Sequence, residues 1–343
     1  MFEMWRNVVH FFHARRKESV PARGSGTNTI HMKLKEVFSV TAKQLFKGTM
    51  PFNIAKLALG GATLLLSAIL LAICLGLGWL FGGGGMGVMF IIWIAGTGVI
   101  QFFLMHYIGY LVKAGHIAVI AEAVATRHIP ANQVAYGKNI VKKRFATSNI
   151  YFAVDKLVAG SVRQIQRTVD ATANMFSFIP GMKSIAGIAN LFVGIFLGYI
   201  DECCLGYTFL QKKQNAYKSA ADGVVLYAQN WKVLLKDGGR TTLKVVLLSI
   251  AAVLAIFVPI GLLFKLFGWS SFLAFLFALM ITWVVKFAFL DSYIMIQMMT
   301  SYLKVAQDTQ ITFDLYDKLC GISGKFKELF RKGGGTPESG TPA

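Results

Sequence analysis

Two pairs of long apolar runs, one toward each end of the chain, set its organisation. Residues 57–81 (LALGGATLLLSAILLAICLGLGWLF) hold no charge. At about 1.5 Å per residue, a helix of that length crosses a hydrocarbon core about 30 Å thick. The GGGGMG stretch at 82–87 predicts a tip facing outward, after which 88–112 returns as a second span. Gly60, Gly61 and Ala62 in the first span, and Ala95, Gly96 and Gly98 in the second, allow close helix contact. In the later pair, 243–267 is a span interrupted by Pro259 and Gly261, which predicts a kink and a shortened helix. GWSS at 268–271 supplies the tip, with Trp269 as an interfacial aromatic. Residues 272–299 then return, carrying Lys286 and Asp291. These two are five apart, off the i, i+4 spacing, which leaves either one free to face another helix.

The middle of the chain is read from its charges. Lys113, Arg127, Lys138, Lys142, Lys143 and Arg144 precede the central stretch, and Lys212, Lys213, Lys218, Lys232, Lys236 and Arg240 follow it. Basic flanks prefer the cytoplasmic side, so the number of crossings between them is expected to be even. Residues 184–200 are uncharged and run without a helix breaker into Asp201, Glu202, Cys203 and Cys204. Their partner is 151–178, where Val154, Val158, Val162, Ile165, Val169 and Ala173 form one helical stripe. Asp155, Lys156, Arg163, Gln166, Arg167 and Asp170 occupy the other face, and Ile179-Pro180-Gly181 turns the chain. Three arrangements satisfy this pattern: a full crossing with the polar face on a water-filled cavity, a re-entrant hairpin, or a helix lying on the surface.

The fold expected is therefore all-α: a polytopic helical membrane protein with about six membrane-embedded helices in three hairpins and both termini cytoplasmic. The spans fall at 57–81, 88–112, 148–178, 184–209, 243–267 and 272–299, within a transmembrane domain of residues 56–303. Residues 1–55 form a basic N-terminal region whose first dozen residues are amphipathic, followed by a flexible linker. Residues 304–343 form a basic C-terminal tail, disordered at the end.

Composition supports this reading. Apolar residues make up 55% of the 343 and the formal charge is +19, but the basic residues avoid the apolar runs and collect beside them. That is the distribution expected at a membrane rather than on nucleic acid, so the expected partner is the lipid bilayer, of a plasma or bacterial inner membrane. No apolar region with a cleavage site opens the chain. Four scattered cysteines give no disulfide framework, and free thiols are expected. No phosphate loop, H-E-x-x-H or G-x-S-x-G occurs. His10 and His13, three apart, lack ligand partners. Neither a catalytic site, a metal site nor a cofactor is expected.

The chemistry-bearing residues are the ionisable ones in or beside the spans. A charge at membrane depth costs several kcal/mol unless it is paired or wetted, and a cluster of such charges marks an ion or substrate path. Glu122, Asp201, Glu202, Lys286 and Asp291 are the candidates, with Tyr199 and Tyr217 as aromatic faces for a cation. The bland alternative places Asp201 and Glu202 at headgroup level as a helix end, with Lys286 snorkelling.

Some of these segments carry a resemblance. IAEAVATRHI at 120–129 resembles the I-A-G-A-V-A-x-W-Y-F segment of the choline transporter-like family. QNAYKSAADG at 214–223 is similar to that family's N-A-Y-x-x-x-A-I-x-G stretch, and the Cys-bearing helix before it, YIDECCLGYTFLQKK, also has a counterpart there. MMTSYLKVAQDTQ at 298–310 resembles the segment after the family's last span. The resemblance implies a transporter-like helical core over 57–317, with 148–178 as a true span and a choline-like cation as solute. Glu122 stands where the family has glycine, and Arg127 and His128 replace its aromatic pair. Two functions follow: a transporter or permeation pathway for a small cationic solute, or a non-transporting, homo-oligomeric scaffold that binds partners through its basic segments.

Overall fold

The structure is a computed structural model that describes residues 41–145, 148–174, 198–268, 270–311 and 314–336. The amphipathic start and linker, the turn at 179–181, the apolar run 184–197, Trp269 and the last seven residues lie outside this set.

Among the described residues the chain is all-helical. Helix α1 (Ala42–Gly48) is capped by Thr41, whose Oγ1 accepts from Gln44 N while Gln44 Oε1 accepts from Thr41 N. Helix α2 (Met50–Leu80) follows, with Pro51 in its first turn, where a missing N–H costs nothing. Helix α3 (Gly82–Phe103) passes through a π-helical turn, Leu104–Gly109, directly into α4 (Tyr110–Thr126). Helices α5 (Gln133–Phe145), α6 (Ser148–Asn174) and the short α7 (Ile200–Leu210) come next. The longest helix, α8 (Ala216–Leu266), leads to α9 (Ser271–Val285), a second π turn Lys286–Leu290, and α10 (Asp291–Asp308). Helices α11 (Asp314–Ile322) and α12 (Gly324–Lys332) end the described chain.

Four helical stretches are long and apolar enough to cross a membrane: Met50–Leu80, Gly84–Thr126, Leu247–Leu266 and Ser271–Asp308. They coincide with the two predicted hairpins. Side chains that a soluble domain would hide lie on their outer faces, among them Leu65, Ile91, Leu254 and Leu266, the last 84% exposed. Such an apolar belt is what lipid covers. Inside it, Trp93 Nε1 donates to Ser67 O at 3.0 Å and Ser67 Oγ lies 2.7 Å from Thr97 Oγ1, locking α2 to α3 through the polar groups available there. Trp93 also stacks near Phe277, which joins the two hairpins.

Both tips are tighter than the sequence implies. Only Gly82 (φ 72) breaks the first hairpin, and 83–87 are helical. Backbone groups away from water must be bonded, so glycines extend the helix rather than open it. Gly268 (φ 67) and the Ser270 cap turn the second hairpin. Pro259 does not shorten its helix, which runs unbroken to Leu266. Proline is tolerated in such helices because neighbours and local adjustments re-satisfy the freed carbonyl.

The helices outgrow the bilayer. Gly84–Thr126 spans 43 residues, roughly 65 Å of helix, about twice a hydrocarbon core. The excess builds a second unit, here called the body, in which α4, the start of α8 and α10 pack with α1, α5, α6, α7, α11 and α12 around one large apolar core that includes Ile117, Ile120, Leu205, Leu226, Met298, Tyr302 and Phe326. Here the structure departs from two expectations. Helix α6 is amphipathic and is not among the four apolar stretches; Tyr151, Val154, Leu157, Val158 and Val162 turn its stripe into the body core. Residues 314–332 are two helices whose Leu315, Leu319, Phe326 and Leu329 are buried in that core, rather than a tail.

Candidate functional site

Where the apolar hairpins meet the body, charged side chains from five helices converge. Lys56 of α2 is 3% exposed; its Nζ donates to Ser292 Oγ at 2.8 Å and lies 3.2 Å from His116 Nδ1. An ammonium can only donate, so Nδ1 is the acceptor and the proton of neutral His116 is on Nε2. Nε2 then donates to Thr49 Oγ1 at 2.9 Å, and Thr49 Oγ1 donates to Leu45 O at 2.8 Å. Phe52 stacks on the imidazole with ring centroids 4.9 Å apart. His116 is fully buried, held by Lys56 and Phe52 of α2 and by Thr49 between α1 and α2.

Beside this chain stands a second one. Lys113 Nζ, one helical turn before His116, contacts Glu202 Oε1 at 2.5 Å and Asp201 Oδ2 at 3.8 Å at the start of α7. Acids in the first turn of α7 face its unbonded N–H groups. Asp155 of α6 is 9% exposed and lies within electrostatic reach of Asp201, Lys113 and Tyr110. Among the described residues neither its Oδ1 nor Glu202 Oε2 has a hydrogen-bond donor. Burial, reinforced by Asp201, pushes the Asp155 carboxyl up to about 6 and raises Glu202 as well.

The third part is the π turn of Lys286–Leu290. Lys286 Nζ meets Asp291 Oδ1 at 2.5 Å, and Tyr199 Oη donates to the same oxygen at 3.3 Å. A π turn holds more residues than an α turn and brings positions five apart onto one face. That wider turn makes the pair which the α-helical spacing disfavours. Lys56 lies within electrostatic reach of Lys113, Asp291 and Glu202, so the three parts form one field. It brings together the side-chain amines of Lys56, Lys113 and Lys286 and the carboxyl groups of Asp155, Asp201, Glu202 and Asp291, four acidic side chains to three basic ones beside His116.

Five of the seven residues expected from sequence, Tyr199, Asp201, Glu202, Lys286 and Asp291, meet here. Glu122 and Tyr217 do not. Glu122 lies at the far end of α4 and pairs with the exposed Lys212 at 3.4 Å. Tyr217 sits in the body with Lys332 Nζ 5.7 Å above its ring. Lys56, Lys113, His116, Asp155 and Ser292 were not among those expected. Lys56, Lys113 and His116 stand at the borders of the two first apolar runs, where basic residues read as flanks. Asp155 reads as part of a polar face.

The four cysteines are free thiols, with Cys203 and Cys204 buried behind Glu202. Among the described residues no group of His, Cys, Asp and Glu is arranged to hold a metal ion. Comparison with protein-family models, with curated proteins and with solved structures returned no match.

Proposed function

We propose that this chain is a multi-pass membrane protein that transports a small cation, with the junction cluster on its path. One observation carries the reading: four acidic and three basic side chains, Glu202 and Asp155 among them buried with a carboxyl oxygen that has no donor among the described residues, gather where the long apolar helices enter the body. Charges of this kind are costly to bury and are found on ion and substrate routes. Tyr199 and Phe287, the latter with Lys56 Nζ 5.9 Å from its ring centre, put aromatic faces beside them, the combination that suits an organic cation. The resemblance to the choline transporter-like family supports the same solute class. Beside the two tips stands Lys265, in the last turn of α8, whereas five lysines, Lys138, Lys142, Lys143, Lys212 and Lys213, lie exposed on the body, an excess that supports placing the body in the cytoplasm of a plasma or bacterial inner membrane.

Uptake into proteoliposomes tests this. Labelled choline, ethanolamine and alkali cations are offered to the native protein, Glu202→Gln and Asp291→Asn. The expected result is saturable uptake of at least one cation, reduced about tenfold or more in each folded variant, the size of one lost charge-assisted contact of about 1.5–3 kcal/mol. No uptake by folded native protein, or full uptake by both variants, overturns the transport reading and favours the scaffold.

A further inference from the structure

We propose that Lys113 is a tethered occupant of the cation site: its own ammonium fills the place between Glu202 and Asp201, and a solute cation must displace it to bind. The proposal rests on the transport reading for the identity of the competing solute, but the occupancy itself is tested apart from transport.

Three features carry it. The carboxylates of Glu202 and Asp201, 5% and 17% exposed in their side chains, converge on one ammonium, while the Lys113 side chain is 29% exposed, more than either acid. The carboxylate that holds Lys113 through Oε1 keeps its other oxygen, Oε2, buried and without a donor, and Asp155 Oδ1 nearby is in the same state. A buried carboxylate has capacity for several donors, and one ammonium contact leaves that capacity unfilled. Lysine is also the residue suited to withdrawal, because its ammonium is a point charge on a flexible four-carbon stem, without the fixed fork of arginine. The built-in cation keeps the acids paired when no solute is bound, and its withdrawal leaves the same carboxyl groups to another cation.

The test is chemical rescue in nanodiscs. Thermal unfolding is followed for the native protein, Lys113→Met and the double variant Lys113→Met with Glu202→Gln, each titrated with methylammonium chloride against sodium chloride at equal ionic strength. Lys113→Met leaves Glu202 unpaired and should unfold at lower temperature. Methylammonium should raise its Tm in proportion to the logarithm of its concentration once above the dissociation constant, by about 5 °C at a hundred times that constant. The native protein, already filled, and the double variant, with its acid neutralised, should show no such rise. Removing both charges of a buried pair is tolerated better than removing one, so the double variant is expected to fold. A Lys113→Met protein that is obtained folded only when methylammonium is present supports the proposal equally. It is overturned if folded Lys113→Met shows no specific rise, if the double variant shows the same rise, or if Lys113→Met folds in neither salt. Rescue without cation uptake by the native protein would leave the occupancy standing and remove the transport reading.

Discussion

Gly137→Ala tests how tightly the body holds the junction. Gly137 of α5 lies against Gly115 of α4, which directly precedes His116 and follows Lys113 by two positions. A methyl at Gly137 would stand 2.7 Å from Gly115 O, 2.9 Å from its Cα and 3.0 Å from its carbonyl carbon. Ordinary contact between such atoms is about 3.5–4.0 Å, so the helices must part by several tenths of an ångström or more. Every obstructing atom is helix backbone, which has no rotamer to escape into. Overpacking of this kind costs about 1–3 kcal/mol. Alanine also gains about 1 kcal/mol over glycine as a helix residue, which partly offsets the clash. Gly61→Ala on α2 is the control, because a methyl there meets nothing within 4 Å. The propensity gain is common to both, so the difference between the two variants isolates the contact at about 1–3 kcal/mol. Thermal unfolding in nanodiscs should place Gly137→Ala roughly 2–10 °C below Gly61→Ala. Equal Tm values would refute the close approach and with it the idea that α5 fixes the position of Lys113 and His116.

The pH dependence of stability follows from Asp155. Its folded pKa of about 6 lies above the unfolded carboxyl value of about 4, so the folded state binds the extra proton between them. The stability this contributes is complete below about pH 4 and is lost as pH rises through 6, so Asp155→Asn should raise Tm above pH 6 and flatten the Tm profile between pH 4 and 7. A double-mutant cycle of Lys286→Met and Asp291→Asn should give a coupling of about 0.5–1 kcal/mol, because both side chains are partly exposed and such pairs are weak. Tyr316 Oη donates to Asp222 Oδ1, and Gln214 Nε2 donates to the other oxygen at 2.7 Å, so Tyr316→Phe should cost about 1–3 kcal/mol and speed amide exchange across α11 and α12.

The apolar hairpins were readable from the chain because lipid imposes one rule on every outward residue, and a run such as 57–81 satisfies it without help from any other segment. The body was harder to read. Helix α6 shows the reason: one apolar stripe and one charged face describe equally well a helix lining a cavity and one packed on a protein core, and only α7 and α12 beside it decide between them. Asp201, Glu202 and Asp291 stood out as acids against apolar background, and the fold brings them together in the junction cluster. Glu122 stood out in the same way but is answered by Lys212, a residue ninety positions later. Lys56 was hidden by the opposite effect, since a lysine at the start of a span is the usual flank, yet here its ammonium turns inward to Ser292, 236 positions away.

Both hairpins return through a helix with a π turn at the same stage, Leu104–Gly109 and Lys286–Leu290, where the apolar run gives way to the body. One inserted residue rotates everything after it by about 100° relative to a straight α-helix. Before the turn, α3 presents Ile91, Ile94 and Val99 to the lipid side; after it, α4 is buried continuously from Ala114 to Ala121. A single helical face cannot serve both surroundings unless the helix is re-aimed between them, and the π turn does that without ending the helix. The same rotation that points α10 into the body aims Ser292 at Lys56 and closes Lys286 on Asp291. The charged cluster is thus a product of the junction itself: it lies where two helices pass from an exposed apolar face to a packed core, and there side chains of both hairpins come within reach of α6 and α7.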